Sequence, residues 1–505
     1  MGEVDSAEVP GTDPPTVRPV ASRPSGLRTV TQPPWAWTII AVAILAVLLL
    51  PAMLPASQHA PGAATSCTTF PETYSTHTPI RHVFWIVKEN HAFENYFGDF
   101  PGTVGYPPTG SFPVSFNSSQ TVSPYPLNAT SSVDLPHDRP AELVDWNGGK
   151  NNNFVAEAAS RGVSDPAAAV GYYTSAQIPI YYSYAQNFTL SDGFFTGVMG
   201  PTDPNRFFDI TANVGNWTTD GVAPSSVSGF PSILDQLNRA GIPWNYDYGG
   251  VESEIAPLDL KSIVSDPCSM ARVQPVGNIT AQVDGPDPPA FTMVDVAHDF
   301  LISEHPPDNV TLGEAWTAGL VNAIAESPIA SSSLILISWD EAGGFWDPVA
   351  PPQNSATGDG FRVPLIVISP WSPREIYHGT LDPSSVLNFV DQNWGLGTLN
   401  SPVANATPLG PLFNFSQTPR ALPIEPTNIT FLKTGRTVVT PTGKGSGRPF
   451  VIQTRTMEVG RFFEPGRTRR CPRRTPESPP RRHPVISPSN GRTLLRGYPS
   501  RGQGG

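Results

Sequence analysis

Two dipeptides in this chain could gather oxygen ligands around a cation. Glu89-Asn90 follows the apolar run His82 to Val87 after Lys88, and Asp340-Glu341 directly follows the apolar run Leu334 to Trp339. In open α/β sheets, sites form just beyond the carboxyl ends of the strands, so both pairs stand where chemistry is expected. Three carboxylates and an amide on one rim would repel one another unless neutralised, and a divalent cation is the simple neutraliser. Such a donor set suits Ca, Mg or Mn and also accommodates Zn. The bland alternative for each pair is a salt-bridged rim or a helix cap. A third segment, Gly200-Pro201-Thr202-Asp203-Pro204-Asn205-Arg206, puts a hydroxyl ahead of a predicted helix that begins near Asp203 or Pro204. A helix start favours a phosphate or an alkoxide, although a capping threonine with no chemistry has the same signature. Pro136-His137-Asp138 and Glu304-His305-Pro306 add two loop histidines able to contact a phosphoryl oxygen or protonate a leaving alkoxide. The nearby pair His298-Asp299 is comparable, and its role is not separable from structure.

These residues need a frame. Four short apolar runs, His82 to Val87, Phe291 to Val294, Leu334 to Trp339 and Val363 to Ser369, read as strands covered on both faces. Stretches with helical spacing at Ile233 to Ala240, Leu312 to Ala325 and Ser384 to Trp394 lie between or after them. The alternation predicts an α/β sandwich with a mostly parallel sheet.

The ends of the chain differ from this body. Residues 1–34 are rich in Pro, Thr and Ser without periodicity and read as disordered. Trp37 to Leu54 runs without a charge over about the length that crosses a bilayer, so 35–55 is expected to be a transmembrane signal-anchor. Arg18, Arg23 and Arg28 precede the run and no Lys or Arg follows until Arg81, which places the N-terminus in the cytoplasm and the body outside. A cleaved signal peptide would secrete the body instead. After a linker at 56–79, the body is expected to span 80–440. The tail 441–505 carries thirteen Arg against Glu458, Glu464 and Glu477 and reads as disordered. With a net charge of −12 over the whole chain, the body is acidic, which argues against nucleic acid as partner. Nine N-x-S/T sequons, from Asn117 to Asn428, fit a surface glycoprotein. Of the three cysteines, Cys67 and Cys268 could pair in an oxidising compartment.

Together the motifs resemble the phosphoesterase family of bacterial phospholipases C and acid phosphatases, within the alkaline-phosphatase-like superfamily. The opening ENRSFDHYFG pattern stands here as Glu89 to Gly98, PHD as Pro136 to Asp138, WNGGK as Trp146 to Lys150, GPTxPNR as Gly200 to Arg206 and EHP as Glu304 to Pro306. WDEHGGFYDHV stands as Trp339 to Val349 and RVPxIVISP as Arg362 to Pro370. The resemblance implies an alkaline-phosphatase-like three-layer α/β/α sandwich and a single divalent cation held by Glu89, Asn90, Thr202, Asp340 and Glu341. It also implies Thr202 as a nucleophile passing through a phosphothreonine, with His137 and His305 as proton-transferring residues and Asn90, His137 and His305 as phosphate contacts. The implied substrate is a phosphate ester, either a phospholipid head group or a small phosphomonoester. Two family histidines are replaced by Ala342 and Pro348, which removes the side chains for a second metal of the alkaline phosphatase kind. A non-catalytic cell-surface binding or adhesion protein on the same fold is the competing reading.

Overall fold

The computed structural model describes residues 74–250, 254–297, 302–353, 358–432, 434, 436–440 and 450–452. The expected segments 1–34 and 35–55, most of the linker, nearly all of the tail, the His298-Asp299 pair and Cys67 lie outside them. Among the described residues no helix is long and apolar enough to cross a membrane. Cys268 is disulfide-bonded, to a partner outside the described residues.

Eight strands form one mixed sheet: β1 (His82–Lys88), β2 (Thr189–Phe195), β3 (Trp244–Gly250), β4 (Val273–Pro275), β5 (Phe291–Ala297), β6 (Ser333–Trp339), β7 (Arg362–Ile368) and β8 (Glu375–Tyr377). Their order is β8-β2-β7-β6-β1-β5-β3-β4. β1 lies near the middle with parallel neighbours on both sides, Trp85 pairing with Leu336 of β6 and Met293 of β5. Every residue of β1, β2, β6 and β7 is buried, which for β1, β6 and β7 is what apolar runs covered on both faces require.

The sheet is mostly parallel, as expected, and two of its features were not foreseen. First, β7 runs antiparallel to both β6 and β2. The connection from β6 to β7 contains no helix among its described residues, so it does not make the covered crossover that parallel neighbours need. Second, β2 (TLSDGFF) and β3 (WNYDYGG) carry acids inside buried strands, which hid them from an apolar-run reading. Each acid is paired: Asp192 accepts from Val104 N at 2.7 Å and from the His378 ring at 2.9 Å, and Asp247 accepts from Gln282 Nε2 at 2.8 Å. A small antiparallel sheet, Ile429–Leu432, Arg436–Val439 and Phe450–Ile452, continues ordered structure past the expected boundary at 440.

The predicted helices form close to where their spacing put them, at Ile233–Ala240, Val310–Ala325 and Pro383–Trp394. Capping boxes begin the first and third, Ser232 with Asp235 and Asp382 with Ser385, and left-handed Gly241 and Gly395 end them. On Val310–Ala325, buried Glu314 accepts Tyr181 N at 2.6 Å. Burial raises its carboxyl from an ordinary 4.5 to about 9.

That shift sets a pH dependence. Between about pH 4.5 and 9 the folded protein holds a proton on Glu314 that the unfolded chain has released, so this contribution to stability falls as pH rises. Glu314→Gln keeps the acceptor for Tyr181 N without the titration. Denaturant unfolding across that range is expected to show a shallower loss of stability in the variant than in the parent protein.

Candidate active site

The exit of β1 is built around a buried ion pair. Lys88 Nζ lies 3.2 Å from Glu304 Oε1, donates to Ile302 O and sits over the Trp316 ring. Glu304 also accepts from Tyr96 at 2.6 Å and Tyr181 at 2.7 Å. Glu89 N donates to Ser303 O at 3.0 Å. These bonds fasten the loop carrying His305 to the strand end carrying Glu89 and Asn90. His91 is not a reacting group: its ring lies 2.8 Å from Asn95 Oδ1 and 2.9 Å from Glu304 O, and burial lowers its pKa to about 3.

The exit of β6 completes the rim. Asp340 N continues the ladder to Lys88 O at 3.1 Å. Asp340 Oδ1 accepts Asn90 N at 3.1 Å and Glu341 N at 2.8 Å, while Glu341 Oε2 accepts Gly343 N at 2.6 Å. Asn90 holds a left-handed φ of 63°. The following turn must be glycine, because at Gly343 (φ 64°) a Cβ would come within 2.2 Å of Asn90 O.

The helix Thr202–Thr211 supplies the third side. It begins at Thr202 itself, with extended Pro201 in the capping position, so Thr202 is the first helical residue and not the N-cap expected from sequence. Asn205 shapes the approach: its amide donates to Val198 O, Gly200 O and Pro201 O, and its oxygen accepts Val198 N. One residue later, Arg206 reaches under three neighbouring strands. Its guanidinium lies 3.3 Å from Glu89 Oε1 and 3.4 Å from Asp340 Oδ2, and it pairs with Asp295 of β5. All four groups are buried. Sequence reasoning assigned Arg206 no role. A buried arginine in a motif beside expected acidic ligands was the available signal.

The two histidines of the loop motifs meet. His137 and His305 stand edge to face with centroids 5.6 Å apart. The His137 ring lies 2.6 Å from Leu135 O through Nδ1 and 3.3 Å from Asn90 Nδ2 through Nε2, and His305 Nδ1 lies 2.7 Å from Pro306 O. Asp138 caps the helix Arg139–Trp146 through Ala141 N at 2.9 Å, which fixes the residue beside it. Ligand atoms of Asp134, His137 and His305 all lie within 4.8 Å of one another.

Further acids, from loops that carry no motif, crowd the same space. Asp220 accepts Asp203 N at 3.1 Å, and its charge acts on His137, Asp340 and His305. Burial raises Asp203 to about 7 and Glu254 to about 8. Burial likewise raises Glu89 to about 8, with Arg206 opposing and Asp340 reinforcing the shift. Glu341 is raised well above the carboxylate range by burial and then by the charges of Asp340 and Glu142. Among the described residues, buried Asn90 Oδ1 and Glu341 Oε1 have no hydrogen-bond partner, and Asp340 Oδ2 has only its 3.4 Å ion pair. Buried acceptors left over in an excess of acid fit a hard cation.

The Phosphoesterase family model matches residues 80–397, from just before β1 to just past the helix Pro383–Trp394. The chain belongs to the phosphoesterase family. Phospholipase C B of Mycobacterium tuberculosis is 26% identical over 416 residues, covering 68% of this chain and 79% of its own. Hemolytic phospholipase C of Pseudomonas aeruginosa is 26% identical over 63% of this chain and 53% of its own. Non-specific phospholipase C5 of Arabidopsis thaliana is 25% identical over 60% and 67%. A solved structure from Vibrio parahaemolyticus, a protein in the alkaline phosphatase superfamily, aligns with a TM-score of 0.34 at 9% identity over 77% of this chain and 81% of that one.

Within this phosphoesterase the two departures have structural occupations. Ala342 packs in an apolar cluster with Phe345 and Trp346. Beside Pro348, Asp347 pairs with Arg362 at 3.0 Å and accepts Glu94 N at 3.2 Å.

Arg206→Met would leave Glu89, Asp295 and Asp340 without their common cation. Removing one partner from a buried ionic cluster costs about 3–5 kcal/mol, so a large fall in the denaturation midpoint is expected. Added divalent cation should recover part of it, because the same acids would then have another neutraliser.

Proposed function

We propose that this phosphoesterase hydrolyses phosphate esters, with Thr202 as nucleophile and a phospholipid as the favoured substrate. The observation that carries the reading is the junction at Asp340. Its carboxylate orients Asn90, whose amide reaches His137 while its oxygen is left over, beside the helix that opens with buried Thr202. The names of the relatives above support a phospholipid head group over a small phosphomonoester. The three-layer α/β/α arrangement of the alkaline-phosphatase-like superfamily is the matching inference for the fold.

Glu89, Asn90, Thr202, Asp340 and Glu341 would hold one divalent cation, which when bound would screen phosphoryl charge and ease loss of the threonine proton. Asn90, His137 and His305 contact the phosphoryl oxygens. Thr202 Oγ1 bonds to phosphorus as the ester P–O bond breaks; an imidazole of the pair accepts the hydroxyl proton and returns a proton to the departing oxygen. Water then cleaves the phosphothreonine and restores the hydroxyl. Tight seating of both rings serves this sequence, since proton transfer needs hydrogen-bond reach.

The same reading places the body outside the cytoplasm, anchored by residues 35–55 or secreted. The disulfide at Cys268 and the apolar run Trp37 to Leu54 support it. Protease treatment of intact cells should then digest the body, and full protection would count against this placement.

Release of phosphocholine from phosphatidylcholine vesicles and of phosphate from an aryl phosphomonoester, each with and without chelator, tests the chemistry. Hydrolysis of the lipid that chelator removes, and that Thr202→Ala lowers by about a thousandfold or more, is the expected result. Preference for the monoester would move the assignment to a phosphatase. Turnover unchanged in Thr202→Ala would remove it as nucleophile.

A further inference from the structure

We propose that Asp134, His137 and His305 form a second, inhibitory metal site that takes Zn²⁺, distinct from the oxygen-rich site on Glu89, Asn90, Asp340 and Glu341. The donor set is the first argument. Two imidazoles and a carboxylate, each offering a ligand atom within 4.8 Å of the others, match the three-ligand nitrogen and oxygen sites of Zn²⁺ that keep one position open. Imidazole suits a borderline cation, whereas Ca²⁺ and Mg²⁺ prefer oxygen alone, so the histidine site favours Zn²⁺ over the hard cations that the oxygen-rich set suits best.

Orientation is the second argument. The Nδ1 atoms of His137 and His305 lie 2.6 and 2.7 Å from the carbonyls of Leu135 and Pro306. A carbonyl only accepts, so in the neutral rings Nδ1 carries the hydrogen and Nε2 carries the lone pair. Metal-bound histidines are fixed by this kind of backbone contact on the second nitrogen. Asp134 stands at the mouth, its side chain about half exposed, with Oδ1 3.7 Å from His137 Nδ1, so its carboxylate has to swing toward the Nε2 side to join a cation held there. Asp220 adds negative charge against both rings from a separate loop. A cation arriving from solvent meets the carboxylate first and the imidazoles behind it.

Inhibition follows from geometry. His137 Nε2 is already 3.3 Å from Asn90 Nδ2, so ligation through that nitrogen displaces the Asn90 amide. The same ligation occupies the rings that the proposed hydrolysis uses for phosphate contact and proton transfer. This half of the proposal rests on the phosphoesterase reading, while the binding half does not.

The test uses the full chain, first supplied with the divalent cation that supports turnover and then titrated with Zn²⁺. Calorimetry reports binding, and visible absorption of Co²⁺ in place of Zn²⁺ reports nitrogen ligation at low coordination number. The wild type is expected to bind the added Zn²⁺ and lose hydrolysis in parallel. Asp134→Asn alters an exposed side chain outside the proposed catalytic set; it should keep Zn²⁺-free turnover within about twofold and weaken Zn²⁺ binding and inhibition together by about tenfold or more. Equal Zn²⁺ affinity in the two proteins, or a Co²⁺ spectrum of purely six-coordinate oxygen type, would overturn the site. Zn²⁺ binding by a protein that hydrolyses no ester would keep the site and remove the phosphoesterase reading. Hydrolysis indifferent to bound Zn²⁺ would keep that reading and overturn the inhibitory role.

Discussion

The guanidinium of Arg206 is the constraint on which the rest of the site depends. It brings one positive charge under the ends of three adjacent strands, against Glu89 from β1, Asp340 from β6 and Asp295 from β5. Two like charges about 4 Å apart repel by roughly 4 kcal/mol at the effective dielectric of a protein. Without a cation beneath them, the acids of this rim would not stay charged and close together. Arg206 compensates only part of the excess, and Glu89 still holds its proton up to about pH 8 because burial outweighs the arginine. The rim is therefore poised between an internal cation that folding supplies and an external one that binding would supply.

Around that centre, each reactive side chain is fixed by a neighbour that does no chemistry. Lys88 and Glu304 tie the strand end to the His305 loop, Asn205 clamps the turn ahead of Thr202, and Asp138 caps the helix after His137. The polar residues most prominent in the motifs thus divide into the set proposed above to react and a scaffolding set. Asp138 and Glu304 belong to the second, although their motifs place them beside histidines of the first.

How much of this was legible depended on whether a residue's partner was near in sequence. The apolar runs gave four of the strands, helical spacing gave three helices to within two residues at their starts, and strand-end position drew attention to Glu89, Asn90, Asp340 and Glu341. The direction of β7 was not legible, because direction depends on what the connection from β6 does in space. β2 and β3 were missed because Asp192 and Asp247 are satisfied by His378 and Gln282, partners that periodicity cannot register. Thr202 was placed one position too early, since the loop is shaped by Asn205 folding back on it and not by a capping hydroxyl. Asp134, Asp220 and Glu254 come from connections without regular pattern, and only the folded chain shows Asp134 and Asp220 facing the histidines and Glu254 beside Asp203, Asp220 and Asp340.

The left-handed backbone at Asn90 carries a consequence for how this site can change over generations. A residue with φ of 63° and a Cβ costs roughly 1–2 kcal/mol unless it is asparagine, aspartate or glycine. The same position offers an amide hydrogen to His137 and, on the proposed reading, an oxygen to the cation. Asparagine alone among those three satisfies both demands, as aspartate lacks the donor and glycine lacks the side chain. Glutamine has the right group on the wrong backbone. Single-step variation at this position is therefore closed off, and divergence of substrate preference has to proceed through the loops that bring Asp134, Asp220 and Glu254, where the backbone imposes no such double condition.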